Sequence, residues 1–220
     1  MSQATLAINS RNYGAWSLRG WLMCRFAGLG FTERVLDSHD PGARAELLLL
    51  SPSFLVPSLE VGDIRVWDTL AIGEYLWETL PDSKLLPADP ATRAWCRSVC
   101  GEMHAGFAHL RAALPMNTKA RHPGFKIFSG AQADVDRIVE IWLECLASSG
   151  GPLLFGATPT MADAMYAPVC TRFVTYDVDL PDDCAAYVQA VMALPEMVEW
   201  LAAAQEEPDA LEELDVDVEF

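Results

Sequence analysis

SPSFLVPSLEVGDIRVWDTLAIGEYL, residues 51–76, reads as a loop, two short strands joined by a tight turn, and the start of a helix. In Val56-Pro57-Ser58-Leu59 the proline has no N–H for a sheet ladder, so it marks a strand edge, a strand entry or a cis bond. Gly62-Asp63 supplies the hairpin turn. Asp68-Thr69 stands where a helix begins, ahead of Leu70, Ala71, Tyr75 and Leu76. A helix start offers unpaired N–H groups and a positive dipole end to an anion. Taken alone, the string is equally a buried hairpin followed by an ordinary Asp N-cap.

Working outward, Ala4–Asn9 alternates as a strand, and Trp16–Ala27 reads as a helix ended by Gly28 and Gly30. Phe31–Leu36 is a second strand, and Pro41-Gly42 opens a short helix through Leu50. With the hairpin and a helix from Thr69 to Leu80, the order is βαβαββα, a thioredoxin-like arrangement over residues 1–80. Residues 81–90, rich in proline and aspartate, form a linker that stops helices and stiffens turns. Residues 91–205 read as all-helical, so an α/β domain is followed by an all-α domain. Its predicted helices are Ala91–Leu114, Ala131–Ala147, Ala164–Val174, Cys184–Leu194 and Glu196–Gln205. Thr160-Met161-Ala162-Asp163 is a capping-box variant at the head of the third. The tail, 206–220, is acidic, contains Pro208, and reads as a mobile or loosely held end.

The chain has 220 residues, of which 51% are hydrophobic, and a formal net charge of −16. Phosphate backbones and anionic lipid surfaces repel such a chain, which excludes nucleic acid and acidic membranes as partners. No apolar stretch reaches the roughly 18–20 residues that span a bilayer, and the first ten residues lack the pattern of a secretory leader. The six cysteines, at 24, 96, 100, 145, 170 and 184, contain no CxxC pair. With four histidines and no ligand-like spacing, no metal site is expected. Reduced, buried thiols of a cytoplasmic protein are the simplest reading.

The ordered string VP-x-L, hairpin, acid–hydroxyl pair, Ala-Ile and Tyr-Leu resembles the glutathione-binding half of soluble glutathione S-transferases. The resemblance extends through Gly101-Glu102-Met103-His104, Leu114-Pro115-Met116-Asn117 and Ala162-Asp163-Ala164-Met165-Tyr166-Ala167-Pro168 to a bacterial, zeta-like, serine-type subgroup. It implies a cis Pro57, with Val56 lending its backbone to the cysteinyl part of glutathione as a short added strand. It implies that Asp68 and Thr69 hold the γ-glutamyl end. It further implies a homodimeric, detoxifying transferase with glutathione as co-substrate, the thiolate attacking a small electrophile held between the two domains.

Two departures stand out. The subgroup carries Ser-Ser-x-Ser-x-Arg in the turn before the first helix, and this chain has Gly14-Ala15-Trp16-Ser17-Leu18-Arg19. The expected activating serine is absent, which leaves Tyr13 or Ser17 to assist the thiolate. On that reading, Gly14→Ser restores part of the activity. The basic residue of the loop before Pro57 is Leu55, which removes a charge-assisted contact to glutathione. Met103 and His104 are the candidate residues of the electrophile pocket. Zeta-type isomerases place a carboxylate-binding arginine on the helix after the capping box; counted from Asp163 it falls on Thr175, with Arg172 one turn earlier. A maleylacetoacetate-isomerase-like activity is therefore the weaker enzymatic reading. A catalytically weakened member serving as a binding or interaction module is the other alternative.

Overall fold

In the computed structural model of the chain, residues 4–36 and 56–207 are described. The hairpin that organised the sequence reading is present: β3 (Ser58–Val61) pairs antiparallel with β4 (Ile64–Trp67) around Gly62-Asp63. Gly62 has φ 60°, the left-handed conformation that such a tight turn requires and glycine adopts freely. β1 (Ala4–Ile8) lies beside β3 in antiparallel register, Leu6 opposite Leu59, and beside β2 (Phe31–Val35) in parallel register. The sheet order is β2-β1-β3-β4. The predicted helix from Pro41 to Leu50, and with it Phe54 and Leu55, lies outside the described residues.

Helix α1 (Ala15–Phe26) connects β1 to β2 and buries Leu18, Trp21, Leu22 and Met23 against the sheet and the second domain. Gly20 permits its close approach, because a Cβ there would overlap the Pro57 ring. Helix α2 (Thr69–Thr79) completes the first domain. The linker is anchored: Leu85 and Leu86 are buried, and the Leu85 carbonyl accepts the Met161 N–H at 2.7 Å.

Among the described residues six helices follow, α3 (Pro90–Ala105), α4 (Ala108–Ala113), α5 (Ser129–Ser149), α6 (Met161–Thr175), α7 (Asp182–Met192) and α8 (Pro195–Gln205). The long helix expected over Ala91–Leu114 is in fact two. Gly106 is extended and Phe107 adopts φ 60°, so the chain turns there. The apolar period continues across the break, which is why periodicity read as one helix. α6 is buried along nearly its whole length and packs against α1, α3 and α7.

The capping box is complete. Both the Thr160 N–H and its hydroxyl meet Asp163 Oδ2, while Leu154 N–H and the Tyr187 hydroxyl donate to Asp163 Oδ1. Burial pushes the Asp163 carboxyl up, and these donors pull it back. The start of the acidic tail is firmly held. Glu207 accepts from the Arg11 N–H at 2.6 Å, from the Ser10 hydroxyl at 2.7 Å and from the Asn12 N–H at 3.1 Å. The far end of the last helix thus braces the turn that leads into α1. All six cysteines are free and buried. Among the described residues, no helix is long and apolar enough to cross a membrane.

Candidate active site

Two cavities meet at Trp16, in the first turn of α1. The first, about 210 Å³, is lined by Trp16, Val56, Pro57, Asp68, Thr69 and His104. The Val56–Pro57 bond is cis. Asp68 caps α2 through Oδ1, which accepts the Leu70 N–H at 2.9 Å, and its Oδ2 lies 3.2 Å from His104 Nε2. Its φ of 75° is a conformation a non-glycine residue holds only under local constraint. Here it lets one carboxylate cap the helix and reach across to α3. The Thr69 hydroxyl is buried with no partner, as is His104 Nδ1. A buried hydroxyl without a hydrogen bond is costly, which makes this cavity a candidate place for a polar ligand.

The second cavity, about 300 Å³, runs along the N-terminus of α1 and is lined by Tyr13, Gly14, Ala15, Trp16, Val56, Arg111, Met116 and Arg172 among others. Its electrostatics are unusual. Arg19, fully buried, lies 4.3 Å from the Trp16 ring centroid, and Arg111 lies 5.9 Å from it. Arg19 donates from Nε to the Met165 carbonyl, and its two terminal nitrogens have no partner. Burial, with Arg172 and Arg111 adding, lowers the Arg19 pKa to about 9. Burial and Arg111 lower that of Arg172 to about 10. The chain carries 31 acidic residues against 15 lysines and arginines, yet these three arginines form no ion pair among the described residues. Arg19 and Arg172 are buried and Arg111 is half-buried; uncompensated buried cations are expensive, so this cluster is a candidate place for an anion.

The expected site residues are distributed unevenly. Val56, Pro57, Asp68, Thr69 and His104 surround the first cavity, and Tyr13 lines the second. Met103 is fully buried and lines neither. Ser17 is also fully buried: its hydroxyl donates to Asn9 Oδ1 at 2.6 Å and accepts the Asn9 N–H at 3.1 Å, which ties α1 to the end of β1. Trp16, in the variable position of the turn, escapes the sequence reading, which takes Arg19, Arg111 and Arg172 one at a time and not as a cluster. Thr175 is a packing residue whose hydroxyl donates to the Asn117 carbonyl, and Arg172 occupies the cavity wall instead.

Gly14 corrects the rescue expected from sequence. A Cβ at this position would overlap the Ser10 carbonyl oxygen and Asn9 Oδ1. The Gly14 N–H is bonded to that same carbonyl, so the turn cannot move aside without losing its closure. Gly14→Ser is therefore expected to destabilise the protein by about 1–3 kcal/mol and to leave activity no higher. Ala15 lines the cavity, and Ala15→Ser should keep the wild-type melting temperature. Parallel thermal melts and conjugation assays check both; an active, wild-type-stable Gly14→Ser protein would show that the turn has room.

The structure thus joins a thioredoxin-like sheet to a helical bundle, with a cavity lined in part by polar groups beside the cis Pro57. Sequence comparison agrees. The glutathione S-transferase N-terminal domain matches residues 13–79 and the C-terminal domain matches residues 100–203. The chain belongs to the glutathione S-transferase family. Among curated relatives it is 30% identical over 146 residues to the maleylacetoacetate isomerase of Rattus norvegicus. It is 26% identical over 173 residues to the probable maleylacetoacetate isomerase of Caenorhabditis elegans. These matches span 61% of this chain and 61% of the rat protein, and 77% of this chain and 78% of the nematode protein. Among solved structures, a Burkholderia glutathione transferase homolog with bound glutathione superposes with a TM-score of 0.72 at 21% identity, covering 94% of this chain and 100% of that one. A bacterial zeta-class maleyl pyruvate isomerase superposes with a TM-score of 0.71 at 22% identity, covering 93% and 100%.

Proposed function

We propose that this chain is a glutathione-dependent enzyme of the isomerase type, acting on a small unsaturated electrophile that carries a carboxylate. Conjugation of neutral electrophiles is its lesser activity. The observation that carries this is the Arg111–Arg172 wall of the second cavity, cationic in a strongly anionic chain. The curated relatives named maleylacetoacetate isomerase support it.

The first cavity fits glutathione. Val56, beside Pro57, lines it where the cysteinyl unit would lie. Asp68, the unpartnered Thr69 hydroxyl and the start of α2 suit the charged γ-glutamyl end. When bound, glutathione supplies a nucleophilic thiolate. The protein's own contribution is positioning and charge. Arg172 is held by the Leu114 carbonyl through Nε at 2.8 Å and by the Pro168 carbonyl through Nη1 at 3.0 Å. A guanidinium has five N–H groups in a planar fork, so this cation is fixed in place with donors remaining for a carboxylate. Trp16, Pro115 and Met116 supply the apolar wall that excludes water from the reacting double bond.

The test is an assay of purified protein with glutathione and a cis-unsaturated keto acid, beside a neutral aryl halide. The expected result is cis-to-trans conversion with an unchanged thiol titre. Rapid conjugation of the halide and no turnover of the acid would restore the general transferase reading. Glutathione binding without either reaction would favour the binding module, which the missing hydroxyl at position 14 supports. The buried free thiols suit a reducing, cytoplasmic setting, and the exposed Ile64 and Trp67 on edge strand β4 suit a homodimer.

A further inference from the structure

None of the three serine positions of the family pattern puts a hydroxyl into the second cavity. Position 14 has no room for a side chain, position 15 is alanine, and the Ser17 hydroxyl is committed to Asn9. In the wall facing that helix start stands Arg111, on α4. Its Nη1 is buried and has no hydrogen-bond partner, and it shares the cavity with Gly14, Ala15, Trp16 and Val56. Arg172 differs, because two of its nitrogens are held by carbonyls. Resting on the glutathione-dependent reading above, we propose that Arg111, together with the N-terminal turn of α1, ionises the thiol of bound glutathione in place of a side-chain hydroxyl.

The step is a simple ionisation. The S–H bond breaks, its electron pair stays on sulfur, and the proton passes to solvent; nothing is oxidised or reduced. A thiol near a cation and a helix N-terminus ionises below its ordinary range near ~8.5. Two further cations reinforce the field: Arg172 of α6 shares the cavity with Arg111, and Arg19 of α1 is within Coulomb reach of both. Tyr13, from the turn before α1, shares the cavity, while Tyr166 of α6 and Cys100 of α3 lie near Arg19, and His104 of α3 lines the first cavity. The nearby carboxylates are engaged elsewhere: Asp68 meets His104, and Glu102 is bound by Arg137 at 2.7 Å. Burial raises the Tyr166 pKa and pushes the Cys100 thiol well up, so neither supplies a negative charge near neutral pH.

The thiolate's ultraviolet absorbance, measured as a difference on adding glutathione across a pH series, reads the ionisation without turnover. In the wild-type protein the midpoint should lie at least about one pH unit below that of free thiol. Arg111→Gln should raise the midpoint by about one pH unit, and Arg111→Lys by less. Ser17→Ala and Tyr13→Phe should leave it in place. Calorimetry with S-methylglutathione, which has no ionisable thiol, should give the same affinity for wild type and Arg111→Gln. A midpoint moved by Tyr13→Phe and not by Arg111→Gln overturns the proposal in favour of a tyrosine hydroxyl. Loss of S-methylglutathione affinity in Arg111→Gln overturns it too, by making Arg111 a peptide-holding residue. Binding of glutathione with no lowered midpoint defeats this proposal alone. Absence of binding by both peptides defeats the glutathione-dependent reading and this proposal with it.

Discussion

Arg172→Met is expected to lower kcat/KM for a carboxylate-bearing electrophile by about 30- to 150-fold, the equivalent of a lost charge-assisted hydrogen bond of about 2–3 kcal/mol. Conjugation of a neutral aryl halide should change by less than about threefold, because the removed cation holds the carboxylate and not the reacting bond. Arg172→Lys should fall between the two. It keeps a charge but loses the fork that lets Nε and Nη1 be held by Leu114 and Pro168 while other donors stay available. The guanidinium also packs the fold, so melting curves must accompany the kinetics. Equal losses toward both substrates would report damage to the scaffold. Unchanged kinetics with the acid would show that the cavity is not a carboxylate site.

Asp163→Ala should cost about 4 kcal/mol of stability and lower the melting temperature by roughly 10 °C or more. Four buried donor groups would lose their acceptor at once: the Leu154 and Thr160 N–H groups and the Thr160 and Tyr187 hydroxyls. Each unsatisfied buried donor costs about 1–3 kcal/mol, and the costs overlap because they share one carboxylate. The damage would propagate, because α6 runs through the middle of the helical domain and Arg19 of α1 is bonded to its Met165 carbonyl. Asp163→Asn keeps an acceptor and should retain part of the loss. Differential scanning calorimetry of the three proteins decides; an alanine variant within 1 kcal/mol of wild type would mean the box is dispensable.

What could be read directly from the chain was local. Proline at a strand entry, Gly-Asp between two β-rich runs, Asp68 before an apolar helix and Thr160 three residues before Asp163 each act through bonds to their own neighbours. Such patterns survive in one dimension, and they placed the sheet, the helix starts and the cavity around Val56, Asp68 and Thr69. Periodicity was less faithful where a break keeps the phase: Gly106 and Phe107 divide α3 from α4 without disturbing the apolar stripe.

What only the tertiary structure decided depends on residues far apart in sequence. Arg19, Arg111 and Arg172 come from α1, α4 and α6, and nothing near any of them in the chain announces the other two. Their closeness around Trp16 makes this cavity wall cationic rather than merely apolar. Burial likewise removed Ser17 and Met103 from the open site, although their residue types suited it. Gly14 reads in sequence as a lost serine, but in three dimensions it stands where the Ser10 carbonyl and the Asn9 side chain leave no space for one. The sequence determined which backbone elements form and where a helix start meets a cis proline, because capping and turn chemistry act over a few residues. Folding decided which side chains share the resulting space, because packing and the Coulomb field act across whatever the chain brings together.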